Sequence, residues 1–201
     1  MIKKIGFTCV ALLMTTSLSV QAAPDRYEFD KSHTHVIFMI DHLGYSQTIG
    51  RIKEFDGHFT FDEKEPEKSE VVVTLRPASV DTSVPALDKE LVGEKFFHVE
   101  KFPTMEFKST AVKTTGEKTG TVTGDFTMLG VTKPVTLDVT YNKSAVHPYT
   151  NNYVSGFSIK TKFKRSDFGM SQFLPAVGDE VTAIIEVEGI NPSKKSEKIE
   201  K

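Results

Sequence analysis

The sequence predicts an all-β protein, either a sandwich or a barrel of about eight antiparallel strands. Short segments in which apolar and polar residues alternate recur along most of the chain, and turn-forming residues separate them. Helical segments are few, and no repeat of fixed length is present. Regularly spaced short strands are typical of sandwiches and barrels. An eight-stranded barrel has an interior just wide enough for packed side chains or for one small ligand.

The clearest strand pair lies in Thr121–Tyr141. One face of it carries Val122, Gly124, Phe126 and Met128 in the first half, and Val135, Leu137, Val139 and Tyr141 in the second. Gly130 lies between the halves and can adopt a positive φ, and Pro134 fits the start of a strand. We therefore expect an antiparallel hairpin whose apolar face is covered by other strands, because an isolated hairpin is only marginally stable.

A secretory signal peptide is predicted at residues 1–22. Lys3 and Lys4 precede an uncharged apolar run at Ile5–Val20, and a small-residue cleavage site follows at Ala22. A membrane anchor fits less well, because hydroxyl residues interrupt the run and it is short for a membrane span. Cys9, the single cysteine, lies inside this run, so no lipid anchor is expected. Export to the periplasm would suit a mature chain that has no cysteine.

The mature chain is expected to be one domain with a weak negative charge. Cleavage removes two of the 25 Lys and Arg residues and none of the 27 Asp and Glu residues, which leaves a net charge of −4. We place the barrel at residues 23–190 and a flexible charged tail at residues 191–201. No block of basic residues is present, so neither nucleic-acid binding nor stable membrane insertion is expected.

The first half of the mature chain predicts four further segments in order. Ala23–Asp30 is a short lead-in, and His33–Leu43 is a strand with Val36, Phe38, Ile40 and His42 on one face. Gln47–Phe61 follows, with Phe55, Gly57, Phe59 and Phe61 on one face, and then Glu70–Thr82, which we expect to stay extended through Val80. The charged segment between the last two is a turn.

The second half predicts three more strands around two irregular segments. Ser83–Pro103 interrupts the alternation, and one or two helical turns are expected at Asp88–Val92. A strand at Thr104–Thr110 precedes the hairpin. Strands at Tyr153–Lys164 and Asp179–Ile190 flank the irregular Arg165–Gly178.

Several stretches resemble the YceI family of bacterial periplasmic proteins, which are also described as polyisoprenoid-binding proteins. They are His35–Gly44 (HVIFMIDHLG), Gly50–Phe61 (GRIKEFDGHFTF), Ala78–Thr82 (ASVDT), Phe96–Thr110 (FFHVEKFPTMEFKST), Gly124–Val135 (GDFTMLGVTKPV) and Lys164–Met170 (KRSDFGM). They follow the family order and cover nearly all of the mature chain. The resemblance implies an antiparallel, lipocalin-like barrel that holds a long isoprenoid-type or related amphiphile.

The candidate ligand-binding residues lie on the predicted inward faces and in the segment after the Tyr153–Lys164 strand. They are Val36, Phe38, Ile40, His42, Phe59, Phe126, Phe157, Phe168 and Met170. A stripe of Phe residues alone favours a filled core. The family resemblance instead favours a cavity, and the lack of Trp leaves few hydrogen-bond donors inside it, which suits a hydrocarbon tail.

Three polar candidates have two interpretations each. His42 is either a polar group near a ligand head group or a core histidine bonded to backbone near Gly44. Arg165, Ser166 and Asp167 form either a polar rim or an ordinary turn with an Arg–Asp pair. His33 and His35 have the spacing of metal ligands on one strand face, but we interpret them as solvent-facing histidines and expect no metal.

The function predicted from these observations is that of a periplasmic carrier or sequestering protein, active in transport of a lipid amphiphile. No nucleophile, paired acid or metal motif is present, so we expect neither an enzyme nor a cofactor. The alternatives are a stress-response protein without a dedicated ligand and a lipid-modifying enzyme. The ligand's head group and chain length stay open, as does a homodimer.

Overall fold

The structure is a computed structural model that describes residues 23–195, and it is built from eleven antiparallel strands. The strands are β1 (Asp25–Phe29), β2 (His35–His42), β3 (Ser46–Ile52), β4 (Phe55–Phe61), β5 (Glu70–Leu75), β6 (Val80–Asp81), β7 (Met105–Thr114), β8 (Thr119–Met128), β9 (Val131–Val146), β10 (Asn152–Lys164) and β11 (Val177–Lys195). The predicted signal peptide with Cys9, and residues 196–201 of the predicted tail, lie outside the described residues.

Eight of the strands form a closed antiparallel barrel, as predicted. They pair in the order β1, β4, β5, β7, β8, β9, β10 and β11, and β1 pairs with β11 to complete the ring. The closing contact is short and consists of Glu28 opposite Ile190 and Phe29 opposite Gly189. A closed ring leaves no exposed sheet edge along these strands.

The long strand β11 changes partner along its length. We call the end of the barrel at which β11 pairs with β2 the wide end, because β2, β3 and β6 extend the wall there, and the opposite end the narrow end. The first part of β11, from Val177 to Glu186, pairs with β2, and its later part pairs with β1. At the change, the hydroxyl of Thr34 donates to the carbonyl of Glu188 and accepts from the amide of the same residue, both at 3.1 Å. Strands β3 and β6 continue the wall beyond β2.

The β8–β9 hairpin has the predicted faces, but β9 begins at Val131, so Pro134 lies within the strand, opposite Asp125, rather than at its start. Phe126, Met128, Val135 and Leu137 are buried, and the neighbouring residues on the other face are largely exposed. The turn between Met128 and Val131 consists of Leu129 and Gly130, with φ of 53° and 75°. Two left-handed residues in a two-residue turn match the right-handed twist of the flanking strands.

Replacing Gly130 by valine is expected to lower the free energy of unfolding by about 1–3 kcal/mol. The φ of Gly130 is in the left-handed region, and a Cβ there would lie 2.9 Å from a ring carbon of Phe102. Urea denaturation measures the change. Gly156→Val is the matched control, because a Cβ at Gly156 meets only ordinary contacts of 3.7 Å and beyond. An equal loss in both variants would contradict this explanation.

Three segments differ from the prediction. Gln47–Phe61 forms two strands, β3 and β4, which have different partners. The lead-in Ala23–Asp30 contains strand β1, which the sequence does not predict. The strand at Glu70–Thr82 does not stay extended through Val80, because Pro77–Ser79 form a 3₁₀ turn and Val80 pairs with β3 instead. Pro77 has no backbone N–H to donate to a strand ladder, so the strand ends before it.

The predicted boundary at residue 190 is also wrong, because β11 continues to Lys195. The buried side-chain carbonyl of Asn191 accepts hydrogen bonds from the amides of Ser193 and Lys194. The ammonium group of Lys194 pairs with Asp25 and lies 4.9 Å from the ring centre of Tyr153. These contacts hold in place a segment whose charge suggested a solvated tail.

The expected helical turns are present as α1 (Pro85–Leu91), with Pro85 at its start. Three short 3₁₀ turns accompany it, at Pro66–Lys68, Pro77–Ser79 and Arg165–Phe168. None of the described helices is long and apolar enough to cross a membrane. Helix α1 lies beside β6, at the wide end of the barrel, where it lines the interior described next.

Candidate functional site

A cavity of about 570 Å³ runs through the barrel interior. Every long strand contributes inward-facing apolar side chains to its wall. They include Val36, Phe38 and Ile40 of β2, Phe59 of β4, Val71 and Val73 of β5, Phe107 of β7, Val122 and Phe126 of β8, Leu137 and Val139 of β9, Phe157 and Ile159 of β10, and Ala183 and Ile185 of β11. The strand period of two places all of them on the same side of the sheet.

Eight of the nine candidate ligand-binding residues line this cavity. They are Val36, Phe38, Ile40, His42, Phe59, Phe126, Phe157 and Met170. The ninth, Phe168, is 1% exposed and lies behind Phe126, with ring centres 5.3 Å apart. Phe168 therefore belongs to the core that supports the wall, because its 3₁₀ turn aims it at Phe126 and Phe163.

A second aromatic cluster fills part of the barrel between β1, β4 and β10. The ring of Phe157 stands edge-on to Phe59 at 5.5 Å and to Phe61 at 5.0 Å, and Tyr27 stacks on Phe59 at 5.0 Å. Edge-to-face and offset pairs are the favourable geometries of aromatic rings. Phe59 and Phe157 thus have one side fixed by neighbouring rings and the other facing the cavity.

His42 lies at the wide end of the cavity, where β2 ends. It is exposed and also belongs to the cavity lining. The interpretation of His42 as a core histidine is therefore wrong, because a residue at the last position of a strand reaches solvent at the barrel rim. Its position agrees with the other interpretation, a polar group beside the cavity mouth.

Arg165 is part of the cavity wall and is only 2% exposed. Its guanidinium donates to the carbonyls of Gly178 (2.8 Å), Met170 (3.1 Å), Gln172 (2.8 Å) and Val177 (3.2 Å). Burial lowers the pKa of Arg165, and the nearby carboxylate of Asp179 acts in the opposite direction. Arg165 thus ties the segment after β10 to the start of β11.

Both interpretations of the Arg165–Asp167 segment are therefore wrong. Arg165 is buried rather than at a rim, and its partners are backbone carbonyls rather than Asp167, which is exposed. Ser166 donates to Asp179 through its amide (2.9 Å) and its hydroxyl (2.7 Å). Burial raises the pKa of Asp179, but these two hydrogen bonds lower it overall.

The narrow end of the cavity carries charged and hydroxyl groups instead. Glu63, Glu117 and Lys118 lie there in the β4–β5 and β7–β8 connections, together with Glu70 at the start of β5 and Lys113 near the end of β7. The hydroxyl of Tyr153 donates to Glu63 at 3.3 Å. Burial raises the pKa of Tyr141, which also lines this end. The two ends of the cavity therefore differ in polarity.

His33 and His35 do not share a strand face, because β2 begins only at His35. The Nδ1 atom of His33 lies 2.9 Å from a carboxylate oxygen of Asp30 and 3.9 Å from one of Glu188. The ligand atoms of these three residues lie within 4.8 Å of one another. Since Asp30 already occupies Nδ1 of His33, we keep the expectation that no metal binds here.

Zinc is expected to leave the melting temperature unchanged. A metal that binds the native state specifically must stabilise it, and displacing the Asp30–His33 hydrogen bond removes much of that gain. Differential scanning fluorimetry with and without zinc measures the shift, and His33→Ala is the control. A rise of several degrees that His33→Ala abolishes would show that the three residues form a metal site.

The stability contributed by His33 is expected to fall as the pH rises. The hydrogen bond to Asp30, with the charges of Asp30 and Glu188, raises the pKa of His33 above its ordinary value. Its contribution is therefore complete below about pH 6.5 and is lost as the pH rises through the folded-state pKa. Thermal melts of wild type and His33→Gln should differ more at about pH 5 than at about pH 8.5. An equal difference at both values would contradict this linkage.

Residues 27–189 match the family described as the YceI-like domain. The "Protein YceI" of Salmonella arizonae is 43% identical over 188 residues, which cover 92% of this chain and 96% of that protein. A YceI protein from Campylobacter jejuni superposes with a TM-score of 0.66 at 30% identity, covering 75% of this chain and 88% of the other. A polyisoprenoid binding domain from Saccharophagus degradans, at 11% identity, shares the fold with a TM-score of 0.61 over 83% of this chain and 98% of that domain.

Proposed function

The chain belongs to the YceI-like family, and from this premise we propose that it is a periplasmic carrier or sequestering protein for a long isoprenoid-type or related lipid amphiphile. The observation that carries the proposal is the apolar cavity of about 570 Å³ inside the barrel. Small-molecule sites typically have volumes of about 300–1,000 Å³ and walls of aliphatic and aromatic side chains. The ligand class is the one implied by the family resemblance, and the Saccharophagus degradans domain of the same fold is itself described as polyisoprenoid binding.

Three polar groups of the cavity wall already have protein partners, which suits an apolar occupant, whereas the hydroxyl of Ser69 is the one buried side-chain polar group of the described wall without a partner. Thr161 donates to the carbonyl of Thr136 at 2.7 Å, and the hydroxyl of Thr34 is bonded to the backbone of Glu188. The guanidinium of Arg165 is taken up by four carbonyls. Since these groups already have protein partners, a hydrocarbon tail would leave none of them unpaired by entering the cavity.

Burial of the tail can supply useful affinity without strong head-group contacts when the cost of association lies in the lower part of its range. Covering ~500 Å² of tail at ~25 cal/mol/Å² contributes up to ~12 kcal/mol. Association costs of ~4–15 kcal/mol oppose this. A longer tail therefore binds better, and the protein would select chain length more than head-group identity.

Native mass spectrometry of protein purified from its own periplasm, followed by organic extraction, tests the proposal. We expect a co-purified amphiphile with a long apolar chain, recovered chemically unchanged after incubation. Protein that never carries or takes up such a lipid would support a stress-response protein without a ligand. Conversion of the lipid into a product would instead support the lipid-modifying enzyme.

A further inference from the structure

Two loops at the wide end of the cavity expose apolar side chains to solvent. Leu43 and Tyr45 in the β2–β3 turn are 50% and 88% exposed, and Phe173 in the segment before β11 is 50% exposed. Phe173 also lines the cavity, as does His42 beside Leu43. We call Leu43, Tyr45 and Phe173 the apolar rim. The rim is therefore continuous with the cavity mouth.

The two loops are held together as one surface. The amide of Leu43 donates to the carbonyl of Ala176 at 3.1 Å, and His42 pairs with Val177. The ring of Phe173 packs against Phe96 with centres 6.1 Å apart. Leu43 and Phe173 thus have fixed positions on the same side of the mouth, while α1 with Glu90 lies along it as well.

The two loop segments that carry the apolar rim contain no charged residue, although 26% of the chain is charged, and next to the first of them lies Asp41, whose carboxylate accepts a hydrogen bond from the amide of Gly44 at 3.0 Å. Neither His42–Gly50 nor Phe168–Gly178 contains Asp, Glu, Lys or Arg. At the narrow end the opposite holds, since seven of the nine residues in Asp62–Glu70 are charged. The two loops of the apolar rim are therefore suited to less polar surroundings than the charged β4–β5 connection at the opposite end, although α1 brings Glu90 to the same mouth.

Two residues of the apolar rim have exposed side chains and a backbone in the left-handed region, which is unfavourable for apolar residues. Leu43 has a φ of 58° and Phe173 a φ of 63°, values that Asn and Gly adopt more easily than apolar residues. Neither side chain is fully buried, so packing alone does not explain why an apolar residue stands at either position. Backbone outliers of this kind are often associated with function.

We propose that the apolar rim docks reversibly on the interfacial region of a phospholipid bilayer with no net charge. A lipid amphiphile then passes directly between the bilayer and the cavity. This inference rests on the proposed function. Three side chains provide weak interfacial binding rather than stable insertion, which lets a carrier leave the membrane again. A second copy of the chain is a poorer occupant, because a specific protein interface needs about 800 Å² from each partner.

Single tryptophans at the two ends of the barrel test the docking directly. The protein has no Trp, and Tyr45 and Tyr149 are 88% and 90% exposed at opposite ends. With phosphatidylcholine vesicles, the emission of Tyr45→Trp should shift to the blue and be quenched by brominated lipid, while that of Tyr149→Trp stays unchanged. Equal behaviour of the two variants would overturn the proposal. The proposal would also be overturned if raising the protein concentration without vesicles were enough to shift the emission of Tyr45→Trp to the blue, because that result indicates binding to a second copy of the chain.

The double variant Leu43→Asn, Phe173→Asn separates docking from folding. Asn tolerates a positive φ, which offsets the lost contact between Phe173 and Phe96, so the melting temperature should change little, while co-sedimentation with phosphatidylcholine vesicles should fall about tenfold or more. Val146→Asn at the narrow end, 44% exposed, is the matched control and should bind as the wild type does. Unchanged vesicle binding in the double variant would overturn the proposal.

Uptake of a water-soluble fluorescent fatty acid, measured without vesicles, distinguishes this inference from the proposed function. Wild-type protein that takes up the probe but does not sediment with vesicles would overturn docking and leave the carrier function standing. Protein that sediments through the apolar rim but never takes up the probe would overturn the carrier function and the passage of lipid, and would leave only the docking standing.

Discussion

Replacing Arg165 by methionine should lower the free energy of unfolding by about 3–5 kcal/mol. Methionine keeps much of the volume but leaves the carbonyls of Met170, Gln172, Val177 and Gly178 without their shared donor. A buried acceptor without a partner loses the hydrogen bonds that water gives it in the unfolded chain. Denaturant unfolding followed by circular dichroism measures the loss.

Two comparison variants identify the cause of that loss. Arg165→Lys keeps the charge but cannot spread its donors over four carbonyls, so it should lose most of the same stability. Arg51→Met is the control, because its exposed ion pair with Asp81 contributes only about 0–1 kcal/mol. A small effect of Arg165→Met would mean that water replaces the guanidinium among these carbonyls.

Arg165 shows a limit of sequence reading at this site. An arginine next to Ser166 and Asp167 in an irregular segment has the composition of an exposed turn. Its burial depends on the loop at residues 169–178 folding back over it, and the four carbonyls that bind it carry no side-chain signal. Main-chain acceptors are the same at every residue, so the sequence cannot indicate which side chain they will bind.

The hairpin of β8 and β9 could be predicted almost completely because its information is local. Alternation defines its two faces, and Gly130 provides the turn in which both central residues are left-handed. Strands β1 and β6 were missed because they are short and depend on distant partners. Strand β6 forms only because the 3₁₀ turn at Pro77–Ser79 brings Val80 against Ile52.

The residues that line the cavity could be predicted only as far as the inward faces of the strands could be. Alternation correctly gave the inward positions of β2, β4, β8 and β10, but it does not indicate whether facing side chains meet or leave a space. Phe168 was predicted to bind the ligand but does not line the cavity. It lies in a 3₁₀ turn, where the strand period of two does not apply. Similarly, the exposure of His42 depends on where β2 ends rather than on its face.

Replacing Phe126 by tryptophan should leave the protein folded and strand-rich but remove most of its bound lipid. Phe126 is 9% exposed and has the rings of Phe163 and Phe168 behind it, with centres 5.4 and 5.3 Å away. The additional ring of tryptophan therefore has the cavity as its available space. Overpacking would cost about 1–3 kcal/mol of stability, which a barrel of this size should tolerate.

Lipid occupancy per folded molecule, measured by native mass spectrometry, decides the outcome for Phe126→Trp. We expect affinity to fall about tenfold or more, because the tail loses both volume and contact with the wall. Phe55→Trp is the matched control: Phe55 is 4% exposed and packs edge-on to Phe29, outside the cavity lining. It should share the overpacking cost but keep its lipid. Full lipid occupancy in a folded Phe126→Trp protein would mean that the tail lies elsewhere. Loss of lipid in both variants would indicate a general loosening of the barrel rather than a blocked cavity.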